Sequence, residues 1–413
     1  MPIQNIPATL QQDNNTSGRS MLVPFALVTS LFLLWGLAYG LLDVLNKHFQ
    51  DALGIDKAQS TLLQMAYFGA YFLVALPAGY FMEKFGYKRG IIFGLVLYAI
   101  GAFLFYPSAE LLSFRFFLVS MFVLASGLVF LETAANPYVT VLGAPESASF
   151  RINLAQSFNG VGAFTGPLIG ALFFFEGEAA VTSLDAVKTV YILIAILVLL
   201  IAGIFVKTKL PEIKVDESET VADVNEPLFS RSHFRAAVIT QFFYIAAQVG
   251  IAALFLNYCT DNNPAIGNSQ GSYLLSISLL LFTIGRFAGT ALMRKFTPQS
   301  LLLVFAIINI VLCAAVVVNQ GWLSIYALMG VFFFESIMFA TIFALGLRGL
   351  GRQTKKGASI LIMTIVGGAV MPYVMGTIAE HYSTAISYSI PMLCFFVVAW
   401  FGWKGYEYRG KNQ

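Results

Sequence analysis

Apolar stretches of roughly 18–28 residues recur along the chain, the length an α-helix needs to cross a bilayer's hydrocarbon core. They fall near residues 22–46, 61–82, 90–107, 116–143, 152–175 and 189–206, then near 234–258, 272–293, 299–318, 322–345, 358–379 and 387–404. The pattern predicts an all-α membrane protein with twelve transmembrane helices. Only residues 207–232, KTKLPEIKVDESETVADVNEPLFSRS, break the rhythm: they are polar, acidic in the middle and hold two prolines. Such a stretch reads as a linker. The expected organisation is a tail at 1–21, a six-helix bundle at 22–207, a linker at 208–232, a second bundle at 233–404 and a tail at 405–413. The polar first 20 residues carry no basic-then-apolar pattern with a cleavage site, so they read as a tail and not as a signal peptide.

The two halves match each other at an offset of about 203–205 residues. FLETAANPYVTVLG (130–143) lines up with FFESIMFATIFALG (333–346), placing a glutamate and a terminal glycine alike. Arg151, Gly162, Ala163 and Pro167 fall on Lys356, Gly367, Gly368 and Pro372. Parallel six-helix repeats related by a pseudo-two-fold axis are a transporter signature, with the substrate site near the bilayer midplane. With the N-terminus inside, about 20 of the 24 Lys and Arg residues lie on the inner side, and only Lys47, Lys57, Arg115 and Lys188 lie outside. The positive-inside rule then predicts that both termini are cytoplasmic, in a multi-pass cell-membrane protein.

Composition agrees with this reading. The chain is 58% hydrophobic and 11% charged, with mean hydropathy +0.78, against about 25% charged for soluble domains. The net charge of +3 is small and dispersed, which points away from a nucleic-acid partner. Cys259, Cys313 and Cys394 lie far apart in apolar surroundings and read as small buried hydrophobes. The chain has no G-x-x-x-x-G-K-[ST] loop and no H-E-x-x-H, and His48, His233 and His381 are scattered. No cofactor, metal site or enzymatic activity is expected.

The few ionisable groups inside the apolar stretches carry the candidate chemistry. Between Phe116 and Gly143, Glu132 is the only acidic or basic residue. A charge at that depth costs roughly 2.5–3.5 kcal/mol on insertion scales, so a compensating role is expected. Glu132 shares a helix face with Asn136 and Thr140. In FLLWGLAYGLLDVLNKHF, Trp35, Tyr39 and Asp43 recur at i, i+4 and i+8. An aromatic plate beside a carboxylate suits a sugar, whose C–H faces stack while its hydroxyls donate to the acid. The other reading of that trio is an interfacial aromatic belt with Asp43 near the outer headgroups. Asn153, Gln156 and Asn159 form a drifting polar stripe, and Gln241, Tyr244 and Gln248 share one face. Each amide could serve as interhelical glue worth about 0.6–2 kcal/mol, but four such helices suggest one polar cavity. Glu335, the repeat partner of Glu132, is a possible further cavity acid. Loss of water disfavours the charged form of a carboxyl group, and a neutral acid crosses between conformations cheaply. Asp43 and Glu132 are therefore the candidate proton carriers. Glu83, Lys84, Lys88, Arg89, Arg286, Arg294 and Lys295 sit in or near the basic turns that follow the second span of each half. They read as an inner-surface gate or latch.

The stretches LETAANPYVTVLG (131–143), RINLAQSFNGVGA (151–163) and KKGASILIMTIVGG (355–368) resemble the fucose–galactose–glucose:proton symporter family of the major facilitator superfamily. The likeness runs from VPFALVTSLFLLWG (23–36) through almost the whole chain. It implies alternating access, proton-driven uptake of a monosaccharide, protonatable groups at Asp43 and Glu132, and sugar-facing amides at Gln156 and Asn159. This chain departs from the family at Gly40 and Leu42, where fucose-transporting members carry asparagines, and at Ala340, where members usually have proline. The sugar therefore stays open among fucose, galactose, glucose, an amino sugar or a disaccharide. Sodium coupling, uncoupled transport and drug/proton antiport remain alternatives on the same fold. The expected partners are the sugar, the proton and the lipid bilayer, with the chain acting as a monomer.

Overall fold

A computed structural model describes residues 19–142, 148–176, 183–208, 227–293, 295–348, 350 and 354–407. Among these residues, twelve helices are long and apolar enough to cross a membrane, and no strand is present. They are α1 (Val23–Leu53), α2 (Lys57–Met82), α3 (Tyr87–Glu110), α4 (Phe114–Asn136), α5 (Leu154–Phe174) and α6 (Asp185–Lys207), followed by α7 (Ser232–Ala253), α8 (Asn268–Leu292), α9 (Pro298–Val318), α10 (Trp322–Leu347), α11 (Ile360–His381) and α12 (Thr384–Gly405). Every expected span is present.

The ends and interiors differ from the hydrophobic pattern where polar groups find partners. α1 runs on past residue 46 because Lys47 Nζ pairs with Asp51 Oδ1 at 2.9 Å, one turn along the same face. The apolar run 234–258 divides at Leu254, after which a separate helix, Phe255–Asn262, begins. α10 is interrupted: one helix ends at Glu335 and the next starts at Met338. α11 carries a tight 3-10 turn at Thr364–Val366 ahead of Gly367.

The Cα framework separates into two compact units that do not follow chain order. The described residues of unit one lie within Met1–Leu41, Leu73–Gly166 and Ser183–Thr220, and those of unit two within Leu42–Phe72, Pro167–Thr182 and Val221–Gln413.

In unit one, α3 packs against both α4 and α6. A Cβ added at Gly94 would lie 2.8 Å from the Gly127 carbonyl oxygen, so the α3 and α4 backbones touch. The Phe105 and Tyr191 rings stack at 3.7 Å between α3 and α6. The first half of α1 meets α5 through two small-residue pairs, Gly36/Gly40 and Gly162/Gly166. A Cβ at Gly36 would collide with the Asn159 carbonyl, and one at Gly162 with the Leu33 carbonyl. Lipid supplies no hydrophobic drive for helix association, so this close backbone approach is what holds such helices together.

In unit two, α9 packs on α10 and α12, α8 packs on α10, and α7 packs on α10, α11 and α12. Buried tyrosines tie these helices by donating to backbone carbonyls: Tyr258 to Val316 at 2.7 Å, Tyr388 to Ile251 at 3.1 Å and Tyr244 to Glu335 at 3.1 Å.

Candidate functional site

In unit one, the close α1–α5 contact sets the register of the polar groups. Gly36 lets α5 approach so closely that Asn159 Nδ2 reaches the Phe32 carbonyl at 3.3 Å. One turn away on α5, Gln156 Nε2 donates to Asn136 Oδ1 on the α4 helix at 3.4 Å. Trp35 and Glu132 line one recess with Leu31, Phe32, Leu131 and Ala135. Trp35, Glu132, Asn136, Gln156 and Asn159 are each half-buried, as is Tyr39. The structure thus gathers an indole face, a carboxyl group and three amides from α1, α4 and α5. The side chains of Thr140 and Asn153 lie outside the described residues.

Unit two holds the second expected acid. Asp43 is 2% exposed, and its helix continues for nearly three further turns, to Leu53. Gln64 Nε2 on α2 donates to Asp43 Oδ1 at 3.3 Å, while Asp43 Oδ2 has no hydrogen-bond partner among the described residues. Sequence reasoning did not single out Gln64, although a lone glutamine in the apolar run LLQMAYFGAYFLVALP was a visible signal. Gln241 is fully buried, Tyr244 is buried with its hydroxyl on the Glu335 carbonyl, and Gln248 is half-buried. Glu335 is 1% exposed.

The basic positions divide. Lys88 Nζ donates to the carbonyls of Val206 at 3.0 Å and Thr208 at 2.8 Å, fastening the start of α3 to the C-terminal end of α6. Lys84 is exposed with its ammonium 5.4 Å from the Phe85 ring centre, and Arg89 and Lys295 are exposed. Arg286 is exposed on α8, its guanidinium 5.1 Å from the Phe282 ring centre. The Glu83 side chain and Arg294 lie outside the described residues.

A set of polar bonds also holds Leu42–Phe72 within unit two. Lys57 Nζ at 2.7 Å and Thr384 Oγ1 at 2.5 Å converge on Asp261 Oδ2. Gln50 bonds to Asn257, and Asn268 Nδ2 donates to Asp51 Oδ2 at 2.6 Å. Among the described residues no group of three or more His, Cys, Asp or Glu side chains could hold a metal ion. The arrangement offers stacking, hydrogen bonding and protonatable acids.

Comparison with known proteins gives a consistent result. A family model described as Major Facilitator Superfamily matches residues 25–366. The L-fucose-proton symporter of Escherichia coli (strain K12) is 38% identical over 407 residues, covering 92% of each chain. A glucose/galactose transporter of Brucella abortus (strain 2308) is 35% identical over 382 residues, covering 92% of this chain and 93% of that one. The crystal structure of the transporter FucP in the outward conformation superimposes with a TM-score of 0.68 at 37% identity, covering 94% of this chain and 99% of that one.

Proposed function

The chain belongs to the Major Facilitator Superfamily, and on that premise we propose that it is a proton-coupled sugar symporter. It imports a monosaccharide of the hexose or deoxyhexose class, such as L-fucose, galactose, glucose or an amino sugar, by alternating access. It is a multi-pass membrane protein. Both termini are placed in the cytoplasm on this reading, which the distribution of lysines and arginines supports.

The observation that carries this reading is the juxtaposition of the Trp35 indole and the Glu132 carboxyl group in a small recess, which has room for no more than a water molecule in this geometry. A sugar ring presents C–H groups to an aromatic face and hydroxyls to acids and amides. Trp35 supplies the face and Glu132 accepts hydroxyls. Asn136, Gln156 and Asn159 add donors and acceptors beside them. Asp43 and Glu132 carry the transported proton. Asp43 Oδ2 is buried without a partner among the described residues. An acid so placed is cheapest in its neutral form, and in that form the protein can reorient around it with the sugar bound. One proton driven by about 100 mV and one pH unit supplies roughly 3.7 kcal/mol, enough for a several-hundred-fold sugar gradient.

Counterflow in proteoliposomes with labelled L-fucose, D-galactose, D-glucose and N-acetylglucosamine tests this. Counterflow needs binding and reorientation but no net proton movement. One of these sugars is expected to exchange. Glu132→Gln should still exchange it yet fail to accumulate it under a proton gradient. Absence of exchange with every sugar in the wild type refutes the substrate class. Full accumulation by Glu132→Gln refutes the coupling role.

A further inference from the structure

Glu335 is buried in unit two, and neither carboxyl oxygen has a hydrogen-bond partner among the described residues. It ends the first helical half of α10, and a turn separates it from the second half at Met338. Burial without a hydrogen-bond partner penalises the anion.

Helices α7, α8 and α9 all pack on α10. On α7, the Tyr244 hydroxyl is spent on the Glu335 backbone carbonyl at 3.1 Å. One turn earlier, Gln241 has neither amide atom partnered among the described residues. On α9, Cys313 is buried within electrostatic range of Glu335, Cys394 of α12 is within range of Cys313, and Asn309 is buried with both amide atoms unpartnered. On α8, a Cβ added at Gly285 would collide with the Phe333 carbonyl and lie 2.7 Å from Ser336 Oγ, so α8 meets α10 at the interruption itself. Arg286 follows directly, and Tyr244 is within electrostatic range of both Arg286 and Glu335. Arg286 rests on the Phe282 ring at the surface of α8, while the Glu335 carboxyl group is buried.

We propose that Glu335 is a further proton-binding site of the transport cycle, neutral in the present geometry and paired with Arg286 once its proton is released. The step is a simple ionisation. The carboxyl O–H bond breaks, the proton passes to water on the Arg286 side, and the carboxylate gains the guanidinium as counter-ion. The interruption between Glu335 and Met338 supplies the local freedom, since a broken helix bends where its hydrogen-bond ladder is absent. The proposal rests on the symport reading for its place in the cycle. A buried acid serving only as packing would stay neutral at every pH that preserves the fold.

The test is infrared difference spectroscopy of the reconstituted protein between about pH 6 and about pH 9, without sugar, read at the protonated-carboxyl band. The double variant Asp43→Asn/Glu132→Gln is expected to keep a band that bleaches at the higher pH. Adding Glu335→Gln should abolish that band. Arg286→Gln, with Glu335 intact, should retain the band at both pH values because the counter-ion is gone. The proposal is overturned if the double variant shows no bleaching band, if Glu335→Gln leaves it unchanged, or if Arg286→Gln bleaches as the parent does. Because no sugar is present, the outcome is independent of the counterflow result. Exchange with a silent Glu335 sinks this proposal alone, and a titrating Glu335 without exchange sinks the sugar assignment alone.

Discussion

Replacing Gly36 by alanine exchanges a hydrogen for a methyl group where α1 meets α5. The new Cβ collides with the Asn159 carbonyl and lies 2.9 Å from the Ala163 nitrogen. Both are backbone atoms of a continuous helix, so neither can swing aside as a flexible side chain would. The helices must part by something on the order of 1 Å to restore ordinary carbon contact. Overpacking of this kind costs about 1–3 kcal/mol. Loss of the Asn159–Phe32 bond, 3.3 Å long at present, costs about 0.6–2 kcal/mol more. Alanine returns up to about 1 kcal/mol through its better helix propensity. The net expectation is a loss of about 2 kcal/mol, or about 4–8 °C in apparent unfolding temperature for a unit of this size. Gly203→Ala is the matched control, because nothing lies within 4 Å of a Cβ there. It should be neutral or slightly stabilising. The assay is tryptophan fluorescence during heating of both variants in the same detergent, followed by counterflow. A displacement of that size also moves Trp35 away from the α5 amides, and exchange should fall at least about tenfold. If the two alanine variants melt within about 1 °C of each other, close α1–α5 packing is not what orders this site.

Other expectations follow from single contacts. Asp43→Asn can keep a hydrogen bond to Gln64, so sugar exchange should persist while proton-driven accumulation is lost; accumulation at the wild-type level would remove Asp43 from the coupling scheme. Trp35→Ala should weaken binding of the exchanged sugar about tenfold, from about 1–1.5 kcal/mol of lost ring contact, and Trp35→Phe should recover most of it; titration calorimetry of both variants decides. Asp261→Asn removes the charged acceptor of Lys57 and Thr384, two bonds on one oxygen. Lys57 and Asp261 are 23% and 35% exposed, so the pair lies at the weak end and the total is about 1–2 kcal/mol. The apparent unfolding temperature should drop accordingly, with a smaller difference at high salt; no change at low salt would contradict the role given to these bonds.

Much of the candidate site was legible in the chain because intramembrane polar residues are rare. Glu132 stood alone in an apolar run, and the i, i+4 rule put Asn136 on its face. Trp35 was marked out by its position on the face of Asp43, and the structure shows it beside Glu132, in unit one. Asp43 itself falls in unit two, held by Gln64. Periodicity assigns a residue to a face and says nothing about which helix that face will meet. The motifs GLAYG and GAFTG, which set the α1–α5 contact, were also present and were not read as a pair.

By itself, the sequence determined the number of spans, the internal repeat and the acids that must be explained. The spans and the isolated acids are local, read from about 20 residues of hydropathy and charge, and the repeat is read by comparing the two halves, so none needs knowledge of spatial neighbours. Tertiary structure alone decided three further points. It placed Leu42–Phe72 and Pro167–Thr182 in unit two. It selected Gln64 and not a residue of α1 as the partner of Asp43. It broke α10 behind Glu335, although FFESIMFATIF contains neither glycine nor proline to announce a break. In each case the outcome depends on how closely two backbones can approach and on which polar atom meets which. Those distances are set between helices, where no window along the chain can register them.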